Sequence, residues 1–251
     1  MINLKDKVAV ITGASRGIGK ATALLFAQAG CNLLINCHVN EKAALEVISQ
    51  IKQFGVTAKP FQADVSQKRQ VDGMIEYAIG ELGKIDILVN NAGIWKHAAI
   101  DRMTEEQLKE TIQVNLYGLF YATTASVRHM IKQKSGNIIN ISSTAGQRGE
   151  PFHSHYAASK GAVISLTKSL AVELAPYNIR VNCVAPGWVD TDMSHASLTG
   201  EDREKILHGI PLERAATPEE IAGSILFLAS DLASFITGEI INVNGGSVLC
   251  G

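Results

Sequence analysis

Short apolar runs alternate with longer stretches of helical periodicity along the whole chain. The short runs predict strands at residues 8–12, 32–37, 58–63, 85–90, 137–142, 179–184 and 240–243. The first, Val8-Ala9-Val10-Ile11-Thr12, shows no polar alternation, as befits a strand buried on both faces of a parallel sheet. Helical spacing predicts helices over 18–29, 41–54, 67–82, 105–132, 156–174 and 218–229. Two of these starts carry caps: Thr104 stands three residues before Gln107, and Thr217 three before Glu220 with Pro218 at the first helical position. Repeated strand–helix alternation predicts an α/β fold, one doubly wound parallel sheet with helices on both faces, formed by residues 1–251 as a single domain. Residues 192–216 lack strand character and hold one short helical segment from Glu201; because they follow a strand's carboxyl end, they are predicted to form a substrate lid.

The first strand runs into Gly13-Ala14-Ser15-Arg16-Gly17-Ile18-Gly19, and a helix follows directly. Strand, glycine turn and helix together form the context in which a pyrophosphate rests on a helix amino terminus. The spacing is G-x-x-x-G-x-G, and an ordinary glycine turn is the competing reading of the motif taken alone. A second candidate lies downstream, where Ile138-Ile139-Asn140-Ile141-Ser142-Ser143 precedes Tyr156-Ala157-Ala158-Ser159-Lys160. On a helix, Lys160 falls one turn beyond Tyr156 on the same face. A free phenol titrates near ~10, and a neighbouring ammonium is expected to lower that value toward working pH. With Ser143 holding a carbonyl oxygen and Tyr156 protonating it, the group suits ketone reduction or alcohol oxidation beside a hydride donor.

Thr12-Gly13, Gly17-Ile18-Gly19, Asn90-Asn91-Ala92-Gly93, Asn115, Ser143, Tyr156, Lys160 and Pro186-Gly187 together resemble the short-chain dehydrogenase/reductase family, a Rossmann-type fold, from about Leu4 to Gly246. Val184-Ala185-Pro186-Gly187, Thr191-Asp192-Met193 and Asn242-Val243-Asn244-Gly245-Gly246 are most similar to the bacterial beta-ketoacyl-acyl carrier protein reductases. The resemblance implies a catalytic set of Asn115, Ser143, Tyr156 and Lys160, with Asn115 ordering a water that connects to Lys160, and Lys160 also bonding the nicotinamide ribose. It assigns cofactor contacts to Gly13, Ser15, Arg16, Gly17, Ile18 and Gly19, to the adenine-binding pair Asp64 and Val65, and to Asn91, Ala92 and Gly93. Pro186, Gly187, the Val189 backbone and the Thr191 side chain would meet the nicotinamide carboxamide. The implied substrate is a 3-ketoacyl thioester, small or carrier-bound, with a sugar, secondary alcohol or other ketone as the alternative. The implied assembly is a homotetramer built on the helices at 105–132 and 156–174. Ala157, Ala158, Gly161 and Ser165 give the second helix a small-residue surface, which serves a partner or its own sheet.

NADPH is the expected cofactor (NADP). The second strand ends Asn36-Cys37-His38 with no acid before Glu41, whereas an acid there would bond the ribose 2′-hydroxyl of NAD. Arg16 offers a forked guanidinium to a 2′-phosphate. Relatives that use a carrier protein carry basic residues before the fifth strand and after the Tyr–Lys helix. Here Lys134, near Lys132, keeps the first, but Tyr177 occupies the second, and Arg180 is directed toward the strand that follows.

With 251 residues and a formal net charge of -1, the chain shows no basic footprint for nucleic acid. Cys31, Cys37, Cys183 and Cys250 lack metal-like spacing and are expected to be free, mostly buried thiols. Lys5-Asp6-Lys7 leads straight into a strand without a signal-peptide pattern, and no apolar run reaches the ~20 residues of a membrane span. The expectation is a cytoplasmic protein. His153 and His155 flank the Tyr156 loop with Glu150 as the one nearby carboxylate and no cysteine, and are expected to line the substrate entrance, not a metal. Trp188 has two readings, pocket wall or packing.

Overall fold

The computed structural model describes residues 2–249. Chain order is β1 (Val8–Ile11), α1 (Gly17–Gln28), β2 (Asn32–Cys37), α2 (Glu41–Ile51), β3 (Ala58–Gln62), α3 (Lys68–Leu82) and β4 (Ile87–Asn90). It continues through α4 (Glu105–Ile112), α5 (Gly118–Gln133), β5 (Gly136–Ile141), α6 (Ala145–Arg148), α7 (Ser154–Leu174) and β6 (Ile179–Pro186). The last elements are α8 (His195–Thr199), α9 (Arg203–His208), α10 (Pro218–Ala229) and β7 (Ile240–Val243). The seven strands form one sheet in the order β3-β2-β1-β4-β5-β6-β7, with every adjacent pair parallel. The chain winds one way from β1 to β3 and the other way from β4 to β7. β1 and β4 therefore flank the switch point, where an open α/β sheet leaves a crevice beyond its carboxyl ends.

Residue alternation explains why β1 and the middle of β2 are apolar at every position. Ala9 and Ile11 of β1, with Leu33 and Ile35 of β2, meet Phe26, Ile221, Ile225 and Leu228 on one face of the sheet. Val10 and Leu34 point the other way, into Met74, Ile75, Ala122 and Leu174. Neither face is left to water, so these positions are apolar on both sides, and the polar exceptions in the strands, such as Asn36, Asn140 and Asn182, are buried with hydrogen-bond partners.

Both capping boxes form: Thr104 Oγ1 accepts from Gln107 N–H at 3.2 Å, and Thr217 Oγ1 from Glu220 N–H at 3.4 Å. The helix predicted over 105–132 is divided by a π turn, Gln113–Tyr117, into α4 and α5. α7 starts at Ser154, two residues before the predicted start at Tyr156. The 192–216 segment holds α8 as well as α9, and is tied back to the body by a bridge between Val189 and Ala216. Among the described residues no helix is long and apolar enough to cross a membrane. Cys31, Cys37 and Cys183 are buried free thiols; Cys250 lies outside the described residues.

Candidate active site

Beyond the carboxyl ends of the strands lies a cavity of about 860 Å³. Its floor is the glycine turn after β1. Gly13 and Gly17 adopt φ of +63° and +53°, a region that L side chains rarely enter. Gly19 lies beneath the turn, where a Cβ would sit 2.4 Å from Gly13 O and 2.6 Å from Asn91 Nδ2. The turn is fastened from two strands. Asn91 Nδ2 donates to Thr12 O and Gly13 O at 2.9 and 3.0 Å, and Asn36 Oδ1 accepts from Gly13 N–H at 3.1 Å. Arg16 precedes α1 without a side-chain cap, and no acid occupies the first turn. The open N–H groups at this helix start suit a phosphate.

The predicted cofactor contacts gather around this cradle. Gly13, Ser15, Arg16, Gly17, Ile18, Asp64, Val65, Asn91, Ala92, Gly93, Pro186, Gly187, Val189 and Thr191 all line the cavity, and Gly19 supports it from below. Arg16 is not a free loop arginine: its Nη1 stands 3.5 Å from Asp192 Oδ2, an exposed pair that spans the cavity mouth. At the adenosine end His38, Val39 and Asn40 form the rim, and His38 Nε2 lies 3.7 Å from Asp64 Oδ2. A slot this long, with a sterically closed glycine floor, a helix start and no acid after β2, fits a nicotinamide dinucleotide.

At the other end stand Ser143, Tyr156 and Lys160. Ser143 lies two residues past β5, and its Oγ accepts from Ala145 N–H at 3.1 Å and acts on the Tyr156 phenol. Ser142 points inward and donates to Lys160 O at 2.8 Å. Lys160 Nζ donates to Ile141 O at 2.8 Å and lies 5.8 Å from the Tyr156 ring centroid. α6 closes against α7 here through glycines: a Cβ on Gly146 would come within 2.5 Å of the Lys160 carbonyl carbon, and one on Gly161 within 3.2 Å of Gly146 O. Gly161 thus serves a contact inside the chain, while Ala158 and Ser165 are exposed.

Asn115 sits in the π turn and is 1% exposed. Its Oδ1 accepts from Ile94 N–H at 2.8 Å; its Nδ2 donates to Ile94 O at 2.9 Å and to Ser159 Oγ at 3.2 Å. A Cβ on Gly93 would lie 3.3 Å from Asn115 Oδ1 and 3.5 Å from Lys160 Nζ. Asn115 therefore stitches the loop after β4 to α7, with Lys160 close by. The bulge explains an asparagine in the middle of a long helix.

The electrostatics differ from expectation at one point. Tyr156 is half-buried and lines the cavity wall, and desolvation pushes its phenol up to about 12. The Ser143 hydrogen bond pulls it back, and the Glu150 carboxylate pushes it higher. Burial also holds Lys160 down to about 8. The expected depression of the phenol by Lys160 is not what the electrostatics show: desolvation raises the Tyr156 phenol and lowers Lys160. Tyr156 is a neutral phenol at neutral pH, the form that gives a proton, and Lys160 is largely an ammonium.

Three cavity residues were missed from sequence. Asn36 was read only as the absence of an acid. Trp95 and Glu150 lie in loops 55 positions apart and meet through an indole N–H bond of 3.2 Å to Glu150 Oε2. Trp188 resolves to the wall reading, its ring edge-on to Trp95 at 5.8 Å. His153 stacks behind Trp95, and His155 is buried instead of facing the entrance. Arg180 is used internally, donating to the carbonyls of Leu228, Ser230 and Ile236.

Comparison with known proteins agrees with this geometry. A family model described as Enoyl-(Acyl carrier protein) reductase matches residues 13–247. The chain is 44% identical over 248 residues to the 3-oxoacyl-(acyl-carrier-protein) reductase FabG of Thermotoga maritima, covering 99% of this chain and 100% of that one. It is 45% identical over 250 residues to the 3-oxoacyl-(acyl-carrier-protein) reductase of Synechocystis sp., with 99% and 100% covered. Among solved structures, a 7 alpha-hydroxysteroid dehydrogenase complexed with NADH and 7-oxo glycochenodeoxycholic acid superposes with a TM-score of 0.94 at 36% identity, covering 98% of this chain and 96% of that one. A short-chain type dehydrogenase/reductase from Mycobacterium marinum gives 0.93 at 40% identity, with 99% and 98% covered. Cradle, Tyr156–Lys160 pair and full-length likeness converge on one assignment: the chain belongs to the short-chain dehydrogenase/reductase family.

Proposed function

We propose that this protein is an NADPH-dependent reductase that converts a 3-ketoacyl thioester to the 3-hydroxyacyl thioester. The observation that carries the proposal is the Ser143–Tyr156–Lys160 group lining the cavity at the far end from the glycine cradle, with Lys160 buried. Full-length likeness to 3-oxoacyl reductases supports the substrate class.

A bound nicotinamide supplies the hydride to the keto carbon. Ser143 is placed to donate its hydroxyl hydrogen to the keto oxygen, polarising it, and Tyr156 gives that oxygen its proton. A phenol near 12 stays protonated until the oxygen becomes strongly basic, so proton donation follows the developing negative charge. The Lys160 ammonium then steadies the phenolate left behind. Asn115 holds Ile94 and Ser159 in place, which keeps the loop after β4 against the lysine.

The absence of an acid on the β2 rim and the presence of Arg16 support NADPH over NADH. Lys132 and Lys134 are exposed, but Tyr177 stands at the second basic position and Arg180 is engaged internally. This half-formed patch favours a thioester whose carrier contributes little, with a coenzyme A thioester reduced as well as a carrier-bound one. Leu108 on α4, Tyr117 in the π turn and Phe120 on α5 are exposed apolar side chains, which supports assembly of a homotetramer through those helices.

The test is a panel of carbonyl substrates with both cofactors: acetoacetyl thioesters on carrier protein and on coenzyme A, a keto sugar, a keto steroid and simple ketones. Reduction of both acetoacetyl thioesters with NADPH is expected. No turnover of either, beside rapid reduction of a sugar, steroid or simple ketone, would overturn the substrate class.

A further inference from the structure

The loop between α6 and α7 brings a carboxylate into the substrate half of the cavity. Glu150 lines it together with Trp95 and Trp188. Trp95 is immobilised on three sides. His153 stacks on it with ring centroids 4.4 Å apart and planes 9° from parallel, Trp188 meets it edge-on, and its Nε1 donates to Glu150. Ala98 N–H donates to Phe152 O at 2.8 Å, fastening the same loop to the one after β4, and Phe152 adopts φ +61°. The site is built, not a solvated acid on a loop: the Glu150 side chain is only 24% exposed.

One indole N–H fills one of roughly four acceptor positions on a carboxylate. His153 Nδ1 stands 3.9 Å from Oε1 but nearer to Pro151 O, at 3.1 Å. Glu150 itself lines the cavity, with His153 and Arg148 as the neighbouring cationic side chains that act on its charge. An alkyl chain laid there would strip water from the carboxylate and return no hydrogen bond, which is costly for a charged group. A thioester arm has to leave through the open mouth toward its carrier, so the indole-walled end receives the acyl end of the substrate.

We propose that Glu150, held by Trp95, is a specificity-determining residue that restricts this pocket to short or polar acyl ends and excludes longer alkyl chains. The inference rests on the ketone-reduction reading above. It names a substrate class within it: 3-oxobutanoyl-sized thioesters, not medium or long fatty acyl ones.

The test uses N-acetylcysteamine thioesters of 3-oxobutanoate and 3-oxo-octanoate with the intact protein, Glu150→Gln and Glu150→Leu. The parent should favour the butanoyl substrate by ~30-fold or more in kcat/KM. Glu150→Leu should cut that ratio at least tenfold by accelerating the octanoyl substrate; Glu150→Gln, which keeps an acceptor for Trp95, should fall between. A binding measurement separates this idea from the functional one. Both tryptophans of the chain, Trp95 and Trp188, line the cavity, so intrinsic fluorescence reports its occupancy by the unreducible butanoyl and octanoyl thioesters. Octanoyl binding that is as tight as butanoyl in the parent, or a ratio unmoved in folded Glu150→Leu and Glu150→Gln, would overturn the proposal. If no 3-oxoacyl thioester turns over, the functional reading is lost, while the fluorescence ratio still judges Glu150.

Discussion

Lys160→Met is expected to give a more stable protein that has lost its activity. Lys160 is 5% exposed, and burial moves it from its ordinary 10.5 to about 8. At ~1.4 kcal/mol per tenfold change in proton affinity, keeping it charged in the fold costs roughly 3 kcal/mol. Methionine matches its length, removes the charge and adds apolar contact, but leaves Ile141 O without its 2.8 Å donor, a loss of ~1 kcal/mol. The net gain is ~2 kcal/mol at pH 7, or roughly 4–8 °C in Tm for a chain of this size. The pH dependence carries the sharper signature. Below about pH 8 the lysine is protonated in both folded and unfolded chains, so the penalty is complete. Between 8 and 10.5 the unfolded chain binds more protons, so the parent gains stability as pH rises and the gap to Lys160→Met narrows. The phenol of Tyr156 acts in the opposite sense above pH 10 but is present in both proteins, so it cancels from the difference. Urea or thermal unfolding of the pair from pH 7 to 10.5 reads this directly. A variant less stable than the parent at pH 7, or a gap that stays flat across the range, would refute the reasoning.

Gly19→Ala should weaken cofactor binding ~10-fold or more and destabilise the fold, because its Cβ meets backbone at 2.4 Å. Gly80→Ala, in open space on α3, should instead stabilise by ~0.5–1 kcal/mol; cofactor titration and melting of both variants check the contrast. Arg16→Ala should raise KM for NADPH by ~10-fold while changing NADH use less than twofold, since only one cofactor offers a 2′-phosphate to the guanidinium; equal losses with both would reject the assignment.

The parts legible in the sequence are those whose cause is local. Val8–Ile11 reads as a doubly buried strand because both its faces are covered, and the two Thr caps read as helix starts because the box closes within four residues. Asn115 is named through the family resemblance, and the π turn explains how an asparagine sits inside the helix predicted over 105–132. What the sequence concealed depends on contacts between distant segments. The Trp95–Glu150 bond and the Asn36 clasp on Gly13 join residues 55 and 23 positions apart. The Tyr156–Lys160 pair was visible as a spacing, but the direction of its titration was not. Proximity argues for a lowered phenol, and only the three-dimensional surroundings of both groups reveal that desolvation wins.

The central claim is that Tyr156 supplies the proton to a ketone reduced at this site. Its most direct test is single-turnover oxidation of NADPH by acetoacetyl-coenzyme A in the parent and in Tyr156→Phe, with cofactor affinity and melting temperature measured alongside. The account predicts an intact fold, cofactor binding within a few-fold of the parent, and a hydride-transfer rate lower by ~10²-fold or more. A folded Tyr156→Phe that oxidises NADPH at nearly the parent rate would contradict it.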